Sequence, residues 1–352
     1  MGTSFNHIVN LLKQIIKTPS FSKQEDRTAN IIDTFFKDQG ISSVRKHNNV
    51  WVRNLHFKSG KPTILLNSHH DTIQPRKDWT KDPFVPVVEN DRLYGLGSND
   101  AGASLVALIA AFLEFYNRKN LNYNFIFVAS AEEEISGPKG ILTVLQDLEN
   151  IDFGIVGEPT SMQMAVAEKG LMVLDCVAEG ASGHAAKGGG KNAIYIASKD
   201  IEWIRTFNFP ELSELLGSVK MTVTMIHSGT QHNVVPDTCE FVVDVRSTDV
   251  YRNEDILKVI KDHLHSKVKA RSTRLQPSGI SKDHVLVKTA DKLGIKTFGS
   301  QTLSDQALMP FNTVKIGPGD SDRSHTADEF VYLRDIKEGI DGYIRIINEV
   351  IK

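Results

Sequence analysis

Four short apolar segments, each rich in β-branched or aromatic residues, constrain the fold of this chain more than any other feature. Such segments, followed by turn residues and then by longer stretches with helical spacing, are typical of buried parallel strands joined by helices. They are Thr63 to Leu66, Asn124 to Ala129, Phe153 to Val156 and Thr313 to Ile316. The pattern predicts an α/β domain with a central, mostly parallel sheet flanked by helices.

A different pattern occupies the middle of the chain, between about Glu168 and Gln276. It predicts, in order, strand Leu171–Val177, helix Asn192–Phe207, strand Val219–His227, strand Cys239–Arg246, helix Asn253–Lys267 and strand Ala270–Leu275. This βαββαβ order is that of a ferredoxin-like α+β unit. A chain of 352 residues also exceeds what one hydrophobic core usually fills. We therefore predict a discontinuous domain of residues 1–167 and 278–352, with an inserted domain of residues 168–277.

The bulk composition excludes several classes of function. A formal net charge of −2 offers no basic surface for nucleic acid or for an anionic membrane. We also find no uninterrupted apolar run of the roughly 18 to 20 residues that cross a bilayer. Cys176 and Cys239 are too far apart for a thiolate zinc motif and too few for a disulfide framework. We expect a cytoplasmic protein that binds neither nucleic acid nor membrane.

Ionisable side chains follow each of the four predicted strands. In chain order they are His69-His70-Asp71, Glu132-Glu133-Glu134, Glu158 and, after a loop, His325. Ligands of open α/β sheets bind at the carboxyl ends of the strands, so we expect these groups to converge on one rim. Individually, each histidine is more often structural and a run of glutamates is more often a solvated surface.

Asp100 is a further candidate, directly before the apolar segment Ala101 to Tyr116. An aspartate in this position is more often a helix N-cap than a metal ligand. The other ionisable residues at the strand ends favour a role for Asp100 as a metal ligand. Imidazoles and carboxylates without thiolates suit zinc, cobalt or manganese, and a carboxylate can bridge two ions. The set predicts a metal site.

These residues resemble the M20 metallopeptidase family, in the branch of acetylornithine deacetylase and succinyl-diaminopimelate desuccinylase. The motifs that carry the resemblance are His69-His70-Asp71, the Gly-rich segment Leu93 to Asp100, Ser130 to Glu134, Gly157-Glu158-Pro159-Thr160 and Ser324-His325. The likeness extends over nearly the whole chain and implies a zinc-peptidase-like catalytic domain with an inserted lid and dimerisation domain. The chain departs from the family in having Leu96 where arginine is frequent, and a third glutamate where two acidic residues are usual.

The resemblance implies a ligand set for two Zn2+ ions per subunit, which Co2+ or Mn2+ could replace. Asp100 would bridge the ions, with His69 and Glu158 on one and Glu134 and His325 on the other.

The resemblance also implies that Glu133 is the general base and that Asp71 orients the imidazole of His69. His70 would be a spectator, because adjacent side chains of an extended segment point in opposite directions. The third glutamate leaves a second register open, with Glu132 as base and Glu133 as ligand. The alignment of Ser130-Ala131-Glu132 with the family's Thr-Ala-Asp favours the first register.

In the inserted domain the resemblance implies three further site residues. His184, within Gly180 to Ala186, would reach the active site of the partner subunit in a homodimer. Asn233 and Arg246 would bind substrate, and the guanidinium of Arg246 suits bidentate capture of a carboxylate. For Arg246 an ordinary surface charge at a strand end is an equally good interpretation.

The implied reaction is hydrolysis of an amide bond in a small N-acylated amino acid. Two metals roughly 3.5 to 4 Å apart would polarise the scissile carbonyl and lower the pKa of bound water toward about 7, and Glu133 would take the proton. N-acetyl-L-ornithine or N-succinyl-L-ornithine, in arginine biosynthesis, is the expected substrate. The alternatives are succinyl-diaminopimelate in lysine biosynthesis, acetylcitrulline, a dipeptide, and a non-catalytic scaffold that binds amino acids.

Overall fold

The computed structural model describes residues 4–148 and 150–352. Its α-helices are α1 (Phe5–Ile16), α2 (Asp26–Asp38), α3 (Ala103–Tyr116), α4 (Ile141–Leu145), α5 (Ala193–Thr206), α6 (Asn253–His263), α7 (Val285–Leu293) and α8 (Leu333–Val350). Its strands are β1 (Val44–Lys46), β2 (Asn49–Arg53), β3 (Thr63–His69), β4 (Val87–Glu89), β5 (Arg92–Tyr94), β6 (Asn124–Ser130), β7 (Phe153–Val156), β8 (Met164–Glu168), β9 (Gly170–Glu179), β10 (Gly183–His184), β11 (Lys220–Ser228), β12 (Val234–Val235), β13 (Thr238–Ser247), β14 (Lys267–Ala270), β15 (Ser278–Gly279), β16 (Thr297–Ser300), β17 (Asn312–Lys315) and β18 (Phe330–Tyr332).

The chain divides into two compact units. Unit 1 comprises Met1–Val166, Ile280–Phe298 and Ser304–Lys352, and unit 2 comprises Ala167–Gly279 and Gly299–Leu303. The sequence placed the segment 299–303 in the catalytic domain instead. The segment contacts unit 2 closely, because the backbone N–H of Lys169 donates to the carbonyl of Ser300 at 3.1 Å. A side chain at Gly299 would also collide with the carbonyl of Leu215.

Unit 1 is built on a sheet with the strand order β1-β2-β6-β3-β7-β17-β8. The central strands β6, β3, β7 and β17 are parallel to one another. They are the four strands that the sequence predicts, each ending within three residues of the predicted position. The predicted α/β class with a mostly parallel sheet is confirmed. Because these strands are parallel, their carboxyl ends form one edge of the sheet, where His69 lies beside Ser130.

The long helix α3 is the centre of the unit 1 core. Side chains on every side of it are buried, including Leu105, Leu108 and Phe112. Within the described residues, the segment Ser98–Tyr116 is the one helical stretch long and apolar enough to cross a membrane, and 78% of it is buried inside the protein. Its apolar character is therefore that of a core helix, which also packs against α1 and α8.

Unit 2 is a four-stranded antiparallel sheet with the order β11-β13-β9-β14. In β9 and β13 alternate residues are buried, and the inward side chains, such as Met172, Leu174 and Val243, form a core with residues of α5 and α6. Two helices on one face of a sheet in this order form the ferredoxin-like unit predicted from the sequence.

Two predicted boundaries in unit 2 are wrong. Helix α6 ends at His263 instead of Lys267, and the last strand is Lys267–Ala270 instead of Ala270–Leu275. The buried carboxylate of Asp200 explains the difference, because it accepts hydrogen bonds from the backbone N–H groups of His265 at 3.0 Å and Ser266 at 2.8 Å. These hydrogen bonds hold residues 265 and 266 outside the helix, which therefore ends at His263.

Candidate metal centre

His69 is the last residue of β3 and its imidazole is 1% exposed. Its Nδ1 donates to the main-chain carbonyl of Asp71 at 3.0 Å, which leaves Nε2 facing the carboxyl edge of the sheet. Nε2 lies 3.3 Å from Oδ1 of Asp100 and 3.8 Å from Oε1 of Glu158, the residue that follows β7 after one glycine. A histidine held at Nδ1 by a carbonyl presents Nε2 in the form that binds metal.

Asp100 lies in a turn, Ser98–Gly102, in front of α3, and its peptide bond to Ala101 is cis. Helix α3 begins at Ala103 with Gly102 as its N-cap. The cap interpretation of Asp100 is therefore wrong. Its two oxygens point to different histidines, with Oδ1 3.3 Å from His69 Nε2 and Oδ2 3.6 Å from His325 Nε2. Each carboxylate oxygen of Asp100 therefore faces a different candidate ligand.

The glutamate run forms a tight turn immediately after β6. Oε2 of Glu134 lies 3.0 Å from Nε2 of His325, and Oε2 of Glu133 lies 3.9 Å from Nε2 of His69. Glu132 adopts a left-handed conformation that turns its side chain away, so that its Oε2 accepts a hydrogen bond from the backbone of Lys139 at 3.2 Å. The structure thus brings Glu133 and Glu134 to the centre and leaves Glu132 outside it.

Asp71 contacts the glutamate turn more closely than it contacts the imidazole of His69. Its carboxylate accepts hydrogen bonds from the backbone N–H groups of Glu133 at 3.0 Å and Glu134 at 3.2 Å, and from the hydroxyl of Ser22 at 2.7 Å. The distance from Asp71 Oδ1 to His69 Nδ1 is 3.5 Å. Asp71 therefore orients His69 mainly through its main-chain carbonyl.

His70 points away from the centre, as adjacent side chains of a strand do. Its Nε2 donates to the carbonyl of Asn48 at 2.9 Å, and its Nδ1 lies 2.9 Å from the hydroxyl of Thr28. Burial lowers the pKa of His70 to about 4, which keeps the ring neutral.

The centre concentrates more negative charge than its histidines can balance. Burial raises the pKa of Glu158 to about 8, with the charge of Asp100 adding to the shift and His69 opposing it. Burial also raises the pKa of Glu133 well above its usual range, and its neighbours Glu158 and Asp305 add to the effect. The hydrogen bond to Glu134 raises the pKa of His325 to about 9. Divalent cations would relieve this repulsion.

The donor atoms also lie close enough together for cations. The ligand atoms of His69, Asp100 and Glu134 lie within 4.8 Å of one another, as do those of His69, Glu133 and Glu158. Imidazole nitrogens with carboxylate oxygens and no thiolate fit zinc, cobalt or manganese. The residues present therefore fit a metal centre.

Two buried carboxylates beside the centre escaped prediction from the sequence. Glu329 accepts hydrogen bonds from the backbone N–H groups of Gly97, Asn99 and Asp100 at 2.8 to 3.0 Å. Asp305 accepts one from the hydroxyl of Ser130 at 2.6 Å, and burial raises the pKa of Asp305 to about 6. Glu329 lies in a loop and Asp305 begins a short 3₁₀ helix, so neither belongs to a periodic pattern that could have pointed to it.

The three predicted site residues of the inserted domain all lie in unit 2. His184 is exposed and caps a short 3₁₀ turn, accepting a hydrogen bond from Ala186 at 3.1 Å. Asn233 lies beside it, since its carbonyl accepts from the N–H of Ala185 at 3.0 Å. Arg246 stands on β13, where Nε and Nη2 bind the carboxylate of Asp244 at 2.8 and 3.2 Å.

An α/β domain with two imidazoles, one buried and one half exposed, among buried carboxylates at the carboxyl edge of its sheet, and an inserted ferredoxin-like unit, defines a class of metal-dependent hydrolases. Residues 65–349 match the sequence profile of the peptidase family M20/M25/M40. The chain belongs to this family, as the motifs around His69, Asp100 and Glu158 predicted.

The relatives in the family have different names and share different degrees of sequence identity with this chain. The chain is 27% identical to an acetylornithine deacetylase of Proteus mirabilis, covering 94% of this chain and 93% of the relative. It is 22% identical to succinyl-diaminopimelate desuccinylase 2 of a Ruegeria species, covering 97% and 94%. The crystal structure of the aminopeptidase PepT from Bacillus cereus superposes with a TM-score of 0.78 at 19% identity, covering all of both chains, and shows the same fold.

Proposed function

We propose that this M20 metallohydrolase uses two metal ions to remove the acyl group from a small N-acyl-L-amino acid, with N-acetyl-L-ornithine or N-succinyl-L-ornithine as the first candidates. The observation that carries the proposal is the convergence of four carboxylates on His69 and His325 at the edge of the sheet. The carboxylates are those of Asp100, Glu133, Glu134 and Glu158. A cluster of buried acids without cations would be costly, and this cost favours bound metal as the native state.

The ligand assignment follows the shortest contacts. Nε2 of His69 lies nearest to Asp100 and Glu158, and Nε2 of His325 lies nearest to Glu134 and Asp100. Asp100 is common to both groups, which supports its role as the bridge. Zn2+ is the proposed ion, with Co2+ or Mn2+ able to replace it.

The metal ions, when bound, would polarise the scissile carbonyl and lower the pKa of the attacking water. Glu133 is assigned the proton transfer: its carboxylate takes a proton from that water and passes it to the departing amine. The family resemblance supports this role, whereas the distance to His69 alone would also permit Glu133 to be a ligand. A Glu133→Gln variant separates the two possibilities, since a base can be lost without losing metal.

The charge of unit 2 supports a substrate that carries a carboxylate. Lys220 stands directly opposite Arg246 in the pairing of β11 with β13, an arrangement that repels. The nearby Lys169 is only 6% exposed, and its ammonium donates to the carbonyl of Ser218 at 3.0 Å. Burial and then the charges of Lys220 and Arg246 lower the pKa of Lys169. An anionic group would relieve this repulsion, and at Arg246 it would share the guanidinium with Asp244.

We also propose a homodimer formed through unit 2, with His184 serving the partner's site. Strand β11 is an edge of its sheet and exposes Met225 and Ile226, which are 51% and 52% accessible. On the neighbouring helix α5, Tyr195 is 70% exposed. An edge strand with apolar side chains favours pairing with another chain. We propose the cytoplasm as the compartment, which suits the buried free thiols of Cys176 and Cys239.

The experiment that tests the substrate assignment is a side-by-side turnover assay of the zinc-loaded protein. The panel consists of N-acetylornithine, N-succinylornithine, N-acetylcitrulline, N-succinyl-diaminopimelate and a dipeptide. We expect kcat/KM to be highest for one of the two acylornithines. A higher value for another compound would reassign the substrate within the family, and the absence of turnover on all five would favour the binding scaffold instead.

A further inference from the structure

Glu329 is a buried carboxylate in the loop between His325 and β18, and it is 2% exposed. Its Oε1 accepts hydrogen bonds from the backbone N–H groups of Asn99 at 2.8 Å and Asp100 at 2.9 Å, and its Oε2 accepts one from Gly97 at 3.0 Å. Its own main-chain carbonyl accepts from the N–H of Gly95 at 3.0 Å. One residue therefore holds the whole segment that leads to Asp100.

This segment needs an acceptor because its backbone is not helical. Gly97 has a φ of 72°, where a side chain would also collide with Thr72, and Asp100 has φ −112° and ψ 101°. In this conformation the amides of residues 97, 99 and 100 converge on one point, as in the backbone concavities that bind anions. The carboxylate of Glu329 occupies that point.

The same contacts fix the direction of the Asp100 side chain. The backbone N–H of Asp100 is bound to Glu329, and the two carboxylate oxygens of Asp100 then face His69 at 3.3 Å and His325 at 3.6 Å. A rotation of this backbone would move one oxygen away from its histidine. A bridging ligand depends on such orientation more than a ligand of a single ion does.

Asn99 extends this control to the loop that carries His325. Its Oδ1 accepts from the N–H of Asp320 at 2.9 Å, and its Nδ2 donates to the carbonyl of Asp320 at 3.0 Å and to the hydroxyl of Ser324 at 3.4 Å. Gly319 permits this close approach, because a Cβ there would collide with Oδ1 of Asn99. Asn99 thus binds Glu329 through its backbone N–H and the His325 loop through its side chain.

We propose that Glu329 is a positioning residue of the metal centre, required for Asp100 to serve two metal ions at once. This inference rests on the proposed two-metal function and adds a residue that touches no ion. A purely structural role would lower the thermal stability of a variant while leaving metal binding by the folded protein unchanged. A positioning role predicts that the second equivalent of metal is bound weakly even when the fold is intact.

The test is a titration of the metal-free protein with Co2+. Calorimetry measures the affinity of each equivalent, and the visible absorption of the bound ion reports its ligands. The variant is Glu329→Gln, whose remaining oxygen can still accept from Asn99 and Asp100, while its amide nitrogen would face the N–H of Gly97. Glu338→Gln, an exposed change on α8, is the matched control. We expect two equivalents in the wild type and the control. In Glu329→Gln the second equivalent is weakened at least about tenfold and the spectrum is altered.

Two equivalents of wild-type affinity with an unchanged spectrum in Glu329→Gln would overturn the inference while leaving the proposed function intact. If the wild type binds no Co2+, the proposed function fails and the inference fails with it. If Glu329→Gln does not fold, Glu329→Asp takes its place under the same criterion. The shorter side chain keeps the charge but withdraws it from the three amides.

Discussion

The carboxylate of Asp71 accepts a hydrogen bond from the backbone N–H of Glu133 at 3.0 Å. The same carboxylate binds the N–H of Glu134 and the hydroxyl of Ser22. We predict that Asp71→Asn lowers kcat about 10- to 100-fold, because an amide nitrogen would face a donor and displace the glutamate turn. Steady-state kinetics with metal analysis of the same samples checks this.

Ser22→Ala is the matched control, since it removes one donor to Asp71 and leaves both backbone contacts in place. We expect a smaller loss of kcat than in Asp71→Asn. Equal losses of kcat in the two variants would show that kcat depends on the hydrogen bond from Ser22 and not on the contacts of Asp71 with the glutamate turn.

The sequence predicted the parts of the centre that follow from strand order. His69 is the last residue of a parallel strand, and Glu133 and Glu158 come just after two others. The carboxyl ends of parallel strands meet at one edge of the sheet, whatever the conformation of the loops. Glu329 could not be found in this way, because its role depends on backbone amides that converge only once the turn before α3 has formed. The end of α6 was missed for a related reason, since the carboxylate of Asp200 comes from another helix and overrides the local helical pattern.

The stability of the metal-free protein should fall as the pH rises from about 5 to about 8. The pKa of Glu158 is raised from 4.5 to about 8 in the folded protein, so between these values the folded state binds more protons than the unfolded state. The pKa of His325, raised from 6.5 to about 9, acts in the same direction, because its contribution is lost as the pH rises through the folded value. The lowered pKa values of Asp71 and Asp100 act only at lower pH, and the lowered pKa of His70 opposes the fall only below about pH 6.5.

Thermal melts of the chelated protein at pH about 6 and about 8.5 test this, with a lower Tm expected at the higher pH. Saturating Zn2+ should increase Tm more at the higher pH, because the ligands bind metal in their deprotonated form. A Tm of the chelated protein that rises across this range would contradict the charge balance described for the centre.

Removing the guanidinium of Arg246 should weaken substrate binding. A charged hydrogen bond contributes about 1.5 to 3 kcal/mol, so we expect Arg246→Met to raise KM about 10- to 100-fold with a smaller change in kcat. Arg252→Met is the matched control, because Arg252 is also in unit 2 near an acid, Glu254, and is 77% exposed. An unchanged KM in Arg246→Met would show that Arg246 does not bind substrate and that it forms an ordinary surface ion pair with Asp244.

Mixed dimers test the proposed role of His184 in the partner's site. Neither His184→Ala nor Glu133→Ala homodimers should turn over substrate at a substantial rate. If His184 crosses between subunits, a mixed dimer has one site that lacks both groups and one site that retains both. About half of the wild-type activity per heterodimer should then return. No recovery in mixtures that analytical separation shows to contain heterodimers would contradict the crossed arrangement.

The most direct test of the central claim is the Glu133→Gln variant, assayed for amide hydrolysis and for bound metal in the same preparation. We expect turnover of the best acyl amino acid to be lost while the metal content stays at the two ions per chain proposed for the wild type. Undiminished turnover would contradict the role of Glu133 as base. Loss of metal together with turnover would show instead that Glu133 is a ligand.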